Sequence, residues 1–232
     1  MPRPPSMATV WQSFQTTIDS SENLYGAVGQ FCLRTYEGIT QNPLHPTQAR
    51  RIVSLAFLGT VAAWEQYLEA VFVRYLAGAR SHTGYHPHLR AGTAQNLQHA
   101  YDLLSGKFEF KTDSQYLTWS SPSDVIRRAK IFFTNGHPFN AALTHWQDRL
   151  RDAIRIRNRI AHTSGKSRAE FKQVALAHLG RAPNARLSQG YSAGDLLLET
   201  AARGLDPKFR QGTFFEAYME MFRDLAQRLT PV

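Results

Sequence analysis

The chain has 232 residues, of which 43% are hydrophobic and 12% aromatic, a composition typical of a globular protein with a substantial core. No apolar run approaches the roughly 18 residues of a membrane span, and the N-terminus lacks the apolar segment of a signal peptide. The lone Cys32 excludes an internal disulfide and a cysteine-based zinc site, and we expect a cytoplasmic protein without a membrane partner. The formal net charge of +9 favours polyanionic partners.

The first third of the chain is predicted to be helical after a short proline-rich start. Residues 1–9 are expected to be disordered, and helical periodicity begins at about Val10 and continues to Tyr36. Its candidates for burial are Leu24, Val28, Phe31 and Tyr36. A long helix is predicted from Thr47 to Ala77, because apolar residues recur there at helical spacing. These residues are Phe57, Val61, Trp64, Leu68, Val71, Phe72 and Tyr75.

A loop that contains three histidines follows at residues 80–91. Their spacings of four and two residues raise the question of a metal site. However, Gly84 and Pro87 interrupt any helix that would align them, and no cysteine or acidic residue lies in the segment. We therefore expect a loop without a metal ion, whose histidines contact substrate. The three residues are His82, His86 and His88.

Capping signals mark several helix starts in the second half of the chain. Ser121 followed by Pro122 predicts a helix that continues to about Phe133. Three capping boxes are predicted from the pairs Ser167 and Glu170, Ser192 and Asp195, and Thr213 and Glu216. The last helix, over residues 213–229, is expected to bury Phe214, Tyr218, Met221, Phe222 and Leu225.

The most unusual stretch is residues 149–165, which read RLRDAIRIRNRIAHTSG and end a helix predicted from about residue 139. An apolar stripe about 100° wide is expected from Leu143, Trp146, Leu150, Ala153, Ile154 and Ala161. Arg157 falls inside this stripe, and Asn158 and His162 lie at its edge, four residues apart. Because a guanidinium keeps its proton, Arg157 on such a stripe needs a partner or a wet cleft.

The string Arg157-Asn158-Arg159-Ile160-Ala161-His162 resembles the Arg-x4-His motif of the HEPN superfamily, including the Asn that commonly follows the Arg. HEPN domains are all-helical, and many are metal-independent ribonucleases of prokaryotic toxin–antitoxin and phage-defence systems. In that family, two protomers pair so that both motifs face a shared cleft. The helical segments along the chain predict a single all-α bundle of seven to nine helices over residues 10–232, and the resemblance implies that this bundle is HEPN-like. It also implies a homodimer that acts on RNA, with an antitoxin or another defence protein as a further partner.

The resemblance further implies an endoribonuclease that needs no metal or cofactor, because the 2′-OH of RNA attacks the adjacent phosphate. Imidazole titrates near neutral pH, so His162 is suited to the proton transfers. Arg157 would hold the phosphate with two hydrogen bonds, and Asn158 would orient His162 or bind a phosphate oxygen. Arg151, Arg155 and Arg159 are candidates for RNA binding. Together with Arg149, they are alternatively an ordinary solvated face near the helix end.

Glu65 is a supporting candidate, because Glu65 and Glu69 are the only acidic residues between Glu37 and Asp102. The two lie on the flank of the long helix, either as a solvated edge or with Glu65 paired to a basic residue of the Arg157 helix. Residues 63–69, AWEQYLE, loosely resemble the first long helix of several HEPN families, where Trp-Glu or Phe-Glu precedes Tyr-Leu.

Two other functions remain open from the sequence. The chain is alternatively a non-catalytic HEPN-like module whose basic cleft holds RNA or a nucleotide. It is alternatively an interaction protein in which Arg157 pairs with Glu65 inside the bundle. His162 favours the nuclease, because phosphate binding requires cations and has no need of an imidazole.

Overall fold

The computed structural model describes residues 6–33, 44–106, 109–112, 117–201 and 212–231. These ranges hold nine α-helices and one 3₁₀ turn (Thr134–Gly136), and they contain no strand beyond two isolated bridges. The α-helices are α1 (Met7–Leu33), α2 (Pro46–Leu76), α3 (Leu97–Ser105), α4 (Pro122–Phe132), α5 (Phe139–His145), α6 (Gln147–Ala161), α7 (Gly165–His178), α8 (Ala193–Leu198) and α9 (Phe214–Leu229). The predicted all-α fold with seven to nine helices is confirmed. Within the described ranges, none of the helices has the length and hydropathy of a membrane span.

Helix α1 begins earlier than the sequence pattern indicated. Its first turn is capped by Ser6, whose hydroxyl accepts a hydrogen bond from the backbone N–H of Thr9 at 3.3 Å. Met7 is buried, so positions 7–9 of the segment predicted to be disordered are helical. Prolines dominate the composition of this segment, so composition alone does not reveal the cap at Ser6.

The buried face of α1 also differs from the prediction. Phe14, Ile18 and Ser21 are buried at spacings of four and three residues, as is Val28. Leu24 is 52% exposed, which corrects its predicted burial. The remaining predicted positions Phe31 and Tyr36, together with Cys32, fall outside the residues whose side chains are described.

The helices group into two compact units that are interleaved in sequence. Unit 1 comprises Met1–Gln15, Ala63–Asp148 and Arg223–Val232. Unit 2 comprises Thr16–Ala62 and Arg149–Phe222. Because the chain passes from one unit to the other four times, no single cut in the sequence separates them.

The core of unit 1 is an aromatic cluster around Phe72 of α2. The rings of Phe139, Phe133 and Trp119 lie 4.7, 5.0 and 5.3 Å from that of Phe72, measured between ring centroids. All four side chains are buried, and their tilted or edge-to-face arrangements are those that aromatic pairs prefer. This cluster holds α2, α4 and α5 together, with the segment before α4 packed against it.

The core of unit 2 is formed by α2, α6, α7 and α9. Phe57 of α2 contacts Tyr218 of α9 edge-on, with ring centroids 5.3 Å apart. The predicted inner faces of α2 and α9 are confirmed, because every position assigned to them is buried. Such faces can be read from sequence because one uninterrupted helix keeps its apolar residues in phase.

Candidate functional site

The helix that holds the Arg-x4-His motif is shorter than predicted. The chain breaks at Trp146, whose φ of −106° and ψ of 10° are not helical, so α5 and α6 are separate helices. The indole N–H of Trp146 donates to Asp224 Oδ2 at 2.8 Å, and the ring is buried. The helical phase therefore restarts at Gln147, and Leu143 cannot extend a face of α6.

The buried face of α6 is turned by about 60° from the predicted stripe, within the helix itself. Leu150, Ala153 and Ile156 are the buried residues of this helix, while Ala161 is exposed. Ile156 was absent from the predicted stripe, and Ala161 was wrongly included. On the helical wheel Arg157 falls between Leu150 and Ala153, within the observed buried face, and it is half-buried.

Arg157 and Asn158 are directly linked by their side chains. The Nη1 atom of Arg157 donates a hydrogen bond of 3.0 Å to Asn158 Oδ1. This bond fixes one nitrogen of the guanidinium, which has five donors in a planar fork. Asn158 therefore positions Arg157, and its predicted role in orienting His162 stays a prediction.

His162 directly follows α6, with an exposed side chain and a firmly held backbone. Its N–H donates to the carbonyl of Asn158 at 2.9 Å. Its carbonyl accepts from Arg159 Nη1 at 3.2 Å and from Ser167 Oγ at 3.0 Å. The imidazole is thus presented to solvent from a fixed point between α6 and α7.

The first turn of α7 holds the backbone of His162 in place, and its cap differs from the predicted one. The cap is Ser164, whose hydroxyl accepts from the N–H of Ser167 at 3.2 Å. Ser167 was predicted to be the cap, but it is buried and its hydroxyl bonds to the carbonyls of His162 and Ser164. Gly165, predicted to end the preceding helix, is the first residue of α7.

The remaining arginines of α6 differ in their surroundings. Arg149 Nη1 and Arg155 Nη1 lie 3.5 and 3.7 Å from the carboxylate of Asp152, so these two form ion pairs on the helix surface. Arg151 is exposed. Arg159, by contrast, lines a cavity of unit 2, and of the three arginines predicted to bind RNA it is the one found there.

This first basic cavity has a volume of about 590 Å³ and is defined by Arg50, Arg51 and Arg159. Hydroxyl groups of Thr47, Ser54, Thr163 and Ser192 also belong to its lining residues, and no carboxylate does. Thr163, the residue next to His162 in the chain, lines the cavity, and the His162 side chain is exposed. Neither Arg157 nor His162 lines it.

The wall of the cavity depends on a close approach between α2 and α8. A Cβ atom at Gly194 would overlap the carbonyl oxygen of Arg50, so α2 and α8 would have to move apart to accommodate one. Asp195, held by the predicted capping box with Ser192, places its Oδ1 atom 2.6 Å from Arg50 Nε. The turn into α8 therefore fixes the direction of the Arg50 side chain.

Arg50 and Arg51 were not recognised from the sequence, although a signal was present. Both lie in the second turn of α2, and the first turn contains no acidic residue to pair with them. Two consecutive arginines without a local acidic partner indicate a role in anion binding.

Glu65 is 8% exposed in unit 1, so the alternative of a solvated edge is wrong for this residue. Glu69 accepts a hydrogen bond of 2.8 Å from the Tyr101 hydroxyl within the same unit. The predicted pairing of Glu65 with the Arg157 helix stays a prediction.

The histidine loop shows no arrangement for a metal ion. Within the described residues, no three His, Cys, Asp or Glu side chains lie close enough together to hold one. His82 and His88 are exposed, while Nε2 of His86 is buried and burial lowers the pKa of that imidazole. These histidines belong to unit 1, and the first basic cavity belongs to unit 2.

One histidine is part of the core, although no local sequence pattern indicates this. His178 of α7 is 2% exposed, and its Nε2 atom lies 2.9 Å from the Tyr218 hydroxyl. Burial, reinforced by the charge of Arg149, lowers the pKa of His178 to about 4. This imidazole is therefore neutral at physiological pH and structural in role.

Comparison of the chain with models of protein families, with curated proteins and with solved structures finds no match. The HEPN resemblance accordingly depends on the motif residues themselves.

Proposed function

We propose that the chain is a metal-independent endoribonuclease of HEPN type. The observation that carries this proposal is the position of His162, an exposed imidazole on a fixed backbone, one residue before Thr163, which lines a cavity with three arginines. Cations such as Arg50, Arg51 and Arg159 neutralise phosphates, which is the general requirement for binding a nucleic-acid backbone. An imidazole beside them adds a group that can transfer protons at neutral pH.

The proposed reaction begins when the RNA 2′-OH attacks the adjacent phosphorus and displaces the 5′-oxygen of the next nucleotide. His162 accepts the proton of the 2′-OH or supplies one to the leaving oxygen. Arg157 donates to two phosphate oxygens as negative charge develops on them, with Asn158 holding the guanidinium in place. The products are a 2′,3′-cyclic phosphate and a free 5′-hydroxyl.

A single His162 supplies one of the two acid–base groups that the simplest scheme uses. We propose that the protein is a homodimer in which a second copy contributes the other, as in the family that the motif resembles. An antitoxin or another defence protein is a proposed further partner. Light scattering that gives a monomer, with cleavage intact at the same concentration, would remove the shared site from the proposal.

The second candidate is a non-catalytic RNA-binding module. It is favoured by the hydrogen bond between Arg157 and Asn158, because this bond gives the motif arginine a structural function that needs no substrate. The first basic cavity would bind RNA in either case. The two candidates differ in whether His162 contributes anything beyond binding.

Incubation of the purified protein with RNA in excess chelator distinguishes them. The nuclease should leave 2′,3′-cyclic phosphate or 3′-phosphate ends, and the His162→Ala variant should lose about 10²–10⁴-fold in rate while staying folded. The His145→Ala variant, which removes an exposed histidine of unit 1, is the matched control and should cleave normally. Cleavage by His162→Ala at the parent rate would overturn the proposal, and so would a strict requirement for magnesium.

A further inference from the structure

Unit 2 contains a second cavity, of about 460 Å³, that shares lining residues with the first. Arg159, Gly190 and Ser192 line both. The second basic cavity, as we call it, is otherwise formed by α7 and by the segment between α7 and α8. A ligand that binds along one cavity can therefore continue into the other past Arg159.

The second basic cavity gathers cations for which the described part of the chain provides no acidic partner. Arg168 and Lys172 lie four residues apart on α7 and so project from the same side of the helix, while Arg186 comes from the segment that follows. Among the described residues, none of these three side chains forms an ion pair, and no carboxylate lines the cavity. This contrasts with Arg149 and Arg155, which pair with Asp152. Like charges held together without counter-charges favour a polyanionic ligand.

An aromatic side chain lies beside these cations. Tyr191 lines the cavity, and its ring stacks with that of the buried Phe171 at a centroid distance of 6.5 Å and an interplanar angle of 23°. Phe171 thus holds the orientation of the Tyr191 ring. The combination of a positively charged groove with an aromatic ring is the one that proteins use for single-stranded nucleic acids, whose bases are free to stack.

We infer that the second basic cavity binds the single-stranded RNA segment that flanks the cleaved phosphate. This inference rests on the proposed function, because only a nuclease has a cleaved phosphate for the bound segment to flank. Arg168, Lys172 and Arg186 bind successive phosphates of that segment, and Tyr191 contacts a base. A base can reach the Tyr191 ring only after leaving a duplex stack, so the cavity selects unpaired RNA over a duplex.

The test uses binding, so that it does not depend on cleavage. A fluorescent ten-nucleotide single strand made with 2′-deoxyribose cannot undergo 2′-OH attack, and its affinity is measured by anisotropy over a range of salt concentrations. The variant Arg168→Gln/Lys172→Gln/Arg186→Gln should bind at least about tenfold more weakly, and its salt dependence should fall by a slope of about 2, since each phosphate contact contributes roughly 0.7. Tyr191→Ala should weaken binding of the strand and leave the salt slope unchanged.

The matched control removes three exposed cations of unit 1, in Lys111→Gln/Arg127→Gln/Lys130→Gln. This variant should change the affinity by less than about twofold. Equal weakening in the two triple variants would mean that only total charge matters, and it would overturn the inference. Equal affinity of the parent protein for the strand and for its duplex would also overturn it, as would displacement of the strand by a mononucleotide at similar concentration. Failure of the parent to cleave RNA, with these binding results unchanged, would overturn the nuclease and leave the second basic cavity as an RNA site.

Discussion

The imidazole of His178 and the hydroxyl of Tyr218 lie 2.9 Å apart in the core of unit 2, and neither side chain is exposed by more than 2%. The carboxylate of Asp152 is 3.9 Å from the other ring nitrogen of His178, but Arg149 and Arg155 share that carboxylate. Burial and the charge of Arg149 lower the pKa of His178 to about 4, although a backbone hydrogen bond at Val174 acts in the opposite direction.

This pair predicts that the protein loses stability as the pH falls from about 6.5 to about 4. The unfolded chain takes up a proton at His178 near pH 6.5, whereas the folded protein does so only near pH 4, so the unfolded state binds more protons in this interval. The stabilisation is fully present above pH 6.5, and its loss amounts to about 3 kcal/mol at most. Urea unfolding at pH 7.5 and pH 5 measures this loss of stability.

His178→Gln keeps a hydrogen-bonding group toward Tyr218 and cannot titrate, so its stability should depend less on pH. Identical pH dependence in parent and variant would exclude His178 as the cause.

The close approach of α8 to α2 predicts opposite effects for two glycine-to-alanine changes. Gly194→Ala should destabilise the protein by about 1–3 kcal/mol, because its Cβ meets the Arg50 carbonyl and pushes α8 away. The shift would also separate Arg50 from Asp195 and weaken RNA binding in the first basic cavity. Gly59→Ala, inside α2 with nothing within 4 Å of its Cβ, should stabilise the protein by about 0.5–1 kcal/mol. Thermal and urea unfolding of both variants test the pair, and a Gly194→Ala protein as stable as the parent would refute the steric argument.

The first basic cavity predicts that Arg51 matters more for RNA binding than Arg151. Arg51 lines the cavity and has no acidic partner among the described residues, while Arg151 lies exposed on α6 and does not line it. Arg51→Gln should weaken RNA binding about three- to tenfold at moderate salt without altering stability. Arg151→Gln removes the same charge and should change affinity by less than about twofold. The reverse order would place RNA along the arginine-rich surface of α6.

The hydrogen-bonded guanidinium of Arg157 predicts that one substitution changes the cleavage rate much more than the RNA affinity. Arg157→Lys keeps the charge but loses the planar pair of donors, so the affinity for an uncleavable strand should be nearly unchanged. Single-turnover cleavage should fall by at least about tenfold, or ~1.4 kcal/mol, because two bonds to the developing charge are lost. Arg155→Lys, at an arginine already paired with Asp152, is the control and should cleave normally. Equal losses in both assays would assign Arg157 to ground-state binding, and insoluble protein would assign it to a structural ion pair.

The sequence by itself determined the features that depend on a few neighbouring residues. The inner faces of α2 and α9 were predictable because each lies on an uninterrupted helix, where apolar spacing alone sets the buried side. The caps at Ser121, Ser192 and Thr213 were predictable for a similar reason, since a capping side chain bonds to a backbone group three residues away.

The tertiary structure alone decided the features that depend on distant segments. The break at Trp146 involves a hydrogen bond to Asp224, far along the chain. Gly194 lets α8 approach α2, and residues of both helices line the cavity that contains Arg50 and Arg159. Burial beside Tyr218 keeps His178 neutral. Packing and desolvation are set by atoms from separate parts of the chain, so neither the phase of a helix after a break nor the surroundings of a charged side chain follows from local spacing.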